Sequence, residues 1–107
     1  MKTLLLLLLS AVSVKASVLE CKSLINSDMV GGATVATVLK NKELITKDEK
    51  VVSYVTETAP EMFSVEVYIP SLDLRIYGEG PIHLNESLNA TAWARDLLVD
   101  VVCKKIK

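Results

Sequence analysis

The chain has 107 residues, with 12 basic and 13 acidic side chains, one His and two Cys, and half of it is apolar. That length holds one small domain and excludes a multidomain enzyme. Two cysteines are too few for a disulfide-dense knot or a four-cysteine zinc module, a net charge of −1 lacks the basic excess of a nucleic-acid binder, and the apolar half excludes a disordered chain.

Residues 1–16 read as a signal peptide. Lys2 supplies a positive start, and Leu4–Leu9 is an unbroken leucine run continued by Ala11, Val12 and Val14. Val14 and Ala16 have the short side chains that a signal peptidase accepts before a cut. Lys15 ends the run well short of the roughly 20 apolar residues of a membrane-spanning helix. Glu20 before Cys21 argues against a lipoprotein signal. The expectation is a secreted or periplasmic single domain over 17–107, with no membrane span. Loss of Lys2 and Lys15 takes the net charge from −1 to −3.

Cys21 lies near the start of that domain and Cys103 near its end. Export to an oxidising compartment makes their pairing the expected state. A closed loop of about 80 residues is worth roughly 4.5 kcal/mol by the chain-entropy estimate. A domain this small needs such a staple.

Val18–Ile25 reads as a first strand with Leu19, Cys21 and Ser23 inward. Asn26-Ser27-Asp28 and Gly31-Gly32 are breaker clusters, so a turn is expected there. Ala33–Leu39 is β-branched and reads as a second strand. Lys40–Lys50 is a polar loop in which Leu44 and Ile45 form either a short strand or an anchor. Val51–Val55 is a further strand, and Ala59-Pro60-Glu61 a break.

Residues 63–77 carry the clearest pattern. Phe63, Val65, Val67 and Ile69 alternate with Ser64, Glu66 and Tyr68; Leu72, Leu74 and Ile76 alternate with Asp73, Arg75 and Tyr77. Period-two alternation predicts two half-buried strands. A connection of two or four residues puts both apolar sets on one face, and one of three does not. Pro70 suits an ordinary turn rather than a primed one, which favours the four-residue loop Pro70–Asp73 and places Tyr68 opposite Arg75. Gly78-Glu79-Gly80-Pro81 reads as the next turn.

The last segment has two readings. Ala90, Trp93, Ala94, Leu97, Leu98 and Val101 form a helical stripe, which predicts a helix over 87–97 and then a strand. The β-rich run to Cys103 also fits two strands with a bend near Arg95-Asp96. The expected fold is mainly β, a small antiparallel sandwich or partly open barrel with at most one short helix near 87–97. The alternative is α+β.

Little in the chain points to catalysis. His83 is the only histidine, and no Gly-x-Ser-x-Gly elbow accompanies it. The carboxylates show no spacing that selects a pair, and no catalytic residue, cofactor or metal site is indicated. Lys40–Lys50 and the last residues are basic, whereas Glu57–Glu86 holds six acids against one Arg. Kept apart by the fold, these would give a basic and an acidic side. Asn85-Glu86-Ser87 and Asn89-Ala90-Thr91 are N-glycosylation sequons, usable in a eukaryotic secretory route. The sharpest binding candidates are Tyr68, Arg75 and Tyr77, which with Glu66 share the polar face of the expected hairpin. Tyr and Arg combine contact area with a polar handle.

In size, export and the placement of Cys21 and Cys103, the chain resembles the small B subunits of cholera-type enterotoxins. The resemblance implies a helix over 87–97 and a ring-forming oligomer. The chain departs from that family in ending four residues after Cys103, where the family has a further strand. No binding residue carries over by motif. Three functions follow as expectations: an exported non-catalytic domain that binds a protein or glycan; a small extracellular hydrolase using His83; and a self-assembling structural or toxin-B-like oligomer.

Overall fold

The computed structural model describes residues 17–107. The leader expected over 1–16 lies outside them. The eight strands are β1 (Val18–Ile25), β2 (Asp28–Ala36), β3 (Lys42–Lys47), β4 (Val52–Ala59), β5 (Met62–Ile69), β6 (Leu74–Pro81), β7 (Ser87–Ala94) and β8 (Leu97–Lys105). Among the described residues the sole helical element is a 3-10 turn at Pro70–Leu72. The mainly β expectation is met.

Two antiparallel sheets form, in the orders β2-β1-β8-β7 and β3-β4-β5-β6. Strand β2 packs beside β3, and β6 beside β7, without ladder bonds. The strands therefore follow chain order around a flattened barrel opened along two seams. Leu19, Ile25, Val99 and Val101 of one sheet meet Val55, Phe63, Val65 and Val67 of the other in a single core. Burial alternates at period two along most strands, as a half-buried strand requires.

Short turns set the registers. Asn26-Ser27 joins β1 to β2 with φ of 50° and 72°, and Ile25 pairs Asp28. Positive φ at both positions is the primed geometry that matches strand twist. The predicted four-residue loop joins β5 to β6: Ile69 pairs Leu74 and Tyr68 pairs Arg75. Asp73 closes that loop with φ 48°.

Two sequence expectations are corrected, and one open alternative is decided. Gly31-Gly32 is not a turn but lies inside β2, and Gly78-Glu79-Gly80-Pro81 lies inside β6. No glycine has positive φ, so crowding explains two of these positions. A Cβ on Gly31 would stand 2.5 Å from Thr46 Cγ2, and one on Gly78 would run into the Asn89 carbonyl oxygen at the β6–β7 seam. These glycines let neighbouring strands approach across seams that carry no ladder. Of the two readings for Leu44 and Ile45 the short strand holds: they lie in β3, whose Ile45 is an extra residue against β4. This bulge turns both Ile45 and Thr46 inward.

Of the two readings of the last segment, the helix over 87–97 is absent and the two strands with a bend near Arg95-Asp96 are present. β7 and β8 form a hairpin through Arg95-Asp96, with Ala94 paired to Leu97. Leu88, Ala90 and Ala92 face inward at period two, and Trp93 points out. β8 is held beside β1 by seven register pairs, and β7 completes that sheet; the ladder overrides the helical stripe. The helix implied by the enterotoxin resemblance is therefore a strand.

Cys21 and Cys103 form a disulfide between paired positions of β1 and β8. Two polar groups interrupt the apolar interior. Thr46 Oγ1 donates to Ser23 Oγ (2.9 Å), which lies 2.9 Å from Ser53 Oγ, so hydroxyls from β1, β3 and β4 meet in the core. At the end of the barrel that holds the start of β1, Glu57, Thr37, Ser17 and Lys105 are buried together with polar partners.

Candidate functional site

The outward face of the β3-β4-β5-β6 sheet gathers the residues that the sequence singled out. Tyr68 and Glu66 on β5 point out beside Arg75 and Tyr77 on β6, because a four-residue loop preserves parity. The face also takes in Tyr54 of β4, opposite Glu66, and Lys42 of β3.

Glu66 is the centre of this face. Although it points outward it is only 5 % exposed, covered by its neighbours. Lys42 Nζ lies 3.0 Å from its Oε1 and Arg75 Nε lies 3.5 Å from its Oε2. The two cations also stand over aromatic rings: Lys42 Nζ is 4.5 Å from the Tyr54 centroid, and the Arg75 guanidinium is 4.7 Å from that of Tyr68. Tyr68 Oη donates to Asp73 Oδ1 at 3.0 Å, tying strand to loop. That bond raises the Tyr68 hydroxyl above its ordinary pKa, because a carboxylate acceptor favours the protonated phenol; lost hydration and the Asp73 charge add to it, and Arg75 opposes it. Tyr77 stands 53 % exposed at the edge of the cluster.

Sequence reading missed Lys42, Tyr54 and Asp73. The run Val51–Val55 gave no alternation that could put Tyr54 outside, because Val52 and Tyr54 are as apolar as Val51 and Val55 and the polar Ser53 is the buried one. The place of Tyr54 beside Glu66 required the β4–β5 register, and Lys42 required a strand inside an apparently polar loop.

The other candidates lie elsewhere. His83 is exposed in the β6–β7 connection, where its backbone N–H donates to Glu86 Oε1 (3.1 Å) and its carbonyl accepts from Glu86 N (2.9 Å). These bonds close a turn. Asn85 is exposed in the same connection with φ 67°, and Asn89 is exposed on the outward face of β7. The Thr91 hydroxyl of the second sequon donates to Asp100 Oδ1 (2.7 Å). Two lysines from the basic segments reach acids of the 57–86 stretch. Lys42 folds onto Glu66, and Lys105 Nζ lies 3.3 Å from Glu61 Oε1.

A groove of about 430 Å3 crosses the outer face of the other sheet, lined by Glu20, Lys22, Met29, Thr34, Val102 and Lys104. Among the described residues no group of three His, Cys, Asp or Glu side chains is placed to hold a metal ion, and no helix is long and apolar enough to cross a membrane. Comparisons with protein-family models, curated proteins and solved structures find no match to the chain.

Proposed function

We propose that the protein is a small exported domain without catalytic activity, and that the Tyr68/Arg75/Tyr77 face docks a protein partner. The observation that carries this reading is the cluster around Glu66: an ion-paired carboxylate holds Arg75 and Lys42 in place beside three tyrosines on a rigid sheet. Preorganised Arg and Tyr side chains lose little entropy on binding and dominate protein interfaces. A protein is favoured over a glycan because sugar rings stack on open aromatic faces, and cations already stand over Tyr54 and Tyr68. Export rests on the leader-like residues 1–16 and fits the Cys21–Cys103 disulfide.

The test is affinity capture from the extracellular fluid of the host. The wild type is compared with Tyr77→Ala, Arg75→Ala, and Trp93→Ala on the opposite sheet. One protein should be retained by the wild type and by Trp93→Ala. Tyr77→Ala and Arg75→Ala should each weaken it by about 30-fold while melting like the wild type. Retention indifferent to both would remove this face from consideration.

A further inference from the structure

Glu57 is a buried acid whose role the proposed binding face does not explain. It is 9 % exposed and points into the end of the barrel. Its Oε1 accepts from Thr37 Oγ1 at 2.6 Å, and its Oε2 accepts from the backbone N–H of Glu61 at 3.0 Å. The ion pairs among the described residues are Lys42–Glu66, Arg75–Glu66 and Lys105–Glu61; none reaches Glu57. A carboxylate removed from water without a counter-ion is costly, and two hydrogen bonds offset only part of that cost.

The contacts of Glu57 lead to one place. Thr37 bridges Glu57 and Ser17: its hydroxyl lies 3.2 Å from the Ser17 carbonyl oxygen, and its backbone N–H donates to the same oxygen at 2.9 Å. Ser17 and Glu57 are thus held to the same side chain, with the Thr37 hydroxyl between them. Ser17 is itself buried and has little freedom to swing away. Val18, the next residue, donates to the Lys107 carbonyl (3.1 Å) and accepts from Ile106 N (2.9 Å).

Ser17 is also the residue that a cut after Ala16 makes first. We propose that the α-ammonium released at Ser17 by removal of the leader is the counter-ion of Glu57, so that processing completes this end of the barrel. Before cleavage the Ser17 nitrogen is a neutral amide. Afterwards it carries a positive charge and three donors, one side chain away from a carboxylate that no ion pair among the described residues reaches; Lys105, buried at the same end, pairs with Glu61 instead. The inference rests on cleavage after Ala16 and is independent of the binding face.

Secretion with the native leader followed by N-terminal sequencing tests the first premise; a start other than Ser17 overturns the proposal. The ion pair is tested separately. A chain beginning at Ser17 is compared with one carrying an additional Gly before it, which moves the ammonium by about 3.8 Å. Both are made with Glu57 and with Glu57→Gln. With Glu57 present, the extra Gly should lower Tm by about 4–8 °C. In the Glu57→Gln background it should have little effect. An equal loss in both backgrounds, or none in either, overturns the pair. If Glu57→Gln does not fold, a crystal structure of the processed chain decides. Ser17 N within about 4 Å of a Glu57 oxygen supports the pair, and an ammonium facing solvent overturns it.

Discussion

Cys21 and Cys103 face each other directly across the ladder between β1 and β8, with Cα atoms 4.1 Å apart and both residues buried. The bond joins the first strand to the last at the position where their ladder closes the sheet. Its sequence separation of 82 means that nearly the whole domain lies inside the covalent loop.

Removing this bond should therefore cost a large share of the net stability. The Cys21→Ala/Cys103→Ala double variant is expected to lose about 4.5 kcal/mol in urea titration, against a typical total of about 5–15 kcal/mol. Because both cysteines are buried, dithiothreitol should reduce the native bond only as fast as the domain opens. A loss below about 1 kcal/mol would show that the unfolded chain gains little freedom when the loop is cut.

The buried hydroxyls Ser23, Thr46 and Ser53 make an ordered chain with Ser23 in the middle. Ser23→Ala strands both neighbours, each at a desolvation penalty of about 1–3 kcal/mol. Ser53→Ala leaves the Thr46–Ser23 bond intact. Denaturant titration should rank Ser23→Ala well below Ser53→Ala in stability, and the reverse order would contradict the central place of Ser23.

Gly78 and Gly80 both sit in β6 but differ in surroundings. A Cβ on Gly78 would meet the Asn89 backbone across the seam, whereas one on Gly80 would lie 3.6 Å from Leu88 Cδ1, an ordinary contact. Gly78→Ala should destabilise by about 1–3 kcal/mol, the usual cost of overpacking. Gly80→Ala should be near neutral, helped by the lower entropy of the unfolded chain. Thermal melts of the two variants provide the comparison. Equal Tm values would mean that β6 and β7 separate without cost.

The Tyr68–Asp73 bond makes a pH prediction with a definite sign. The folded state holds the Tyr68 proton more tightly than the unfolded state does. The stabilisation is therefore complete below the unfolded tyrosine value of about 10 and is lost as pH rises through the higher folded value. Difference ultraviolet titration of the wild type against Tyr68→Phe isolates this hydroxyl. In Asp73→Asn the same difference should move to lower pH. A curve unchanged by Asp73→Asn would assign the shift to another cause.

The hairpin over 63–77 was readable because its information is local. Alternation specifies which residues are inward, and Pro70 excludes the short primed turn, so parity alone placed Tyr68 opposite Arg75. With only two cysteines, the pairing of Cys21 and Cys103 was equally legible. Local rules failed where a residue's meaning depended on a neighbour distant in sequence. Gly31 and Gly78 look like turn residues until Thr46 and Asn89 stand against them. Ala90, Trp93 and Leu97 look helical until β8 is docked on β1 and offers β7 a ladder.

What the sequence determined by itself was the mainly β pattern, the inward sides of the first strand and of the 63–77 hairpin, and the covalent link between Cys21 and Cys103. All three follow from side-chain period and residue count. The tertiary structure alone decided which outward residues meet around Glu66 and that Glu57 is joined through Thr37 to Ser17. Those meetings depend on ladder register. Register is offset by the extra residues Val30, Ile45 and Thr58 and constrained by the packing of two four-stranded sheets around one core. A shift of one residue in a ladder would exchange the inner and outer faces of a strand, so the site is a property of the assembled sheet rather than of any one strand.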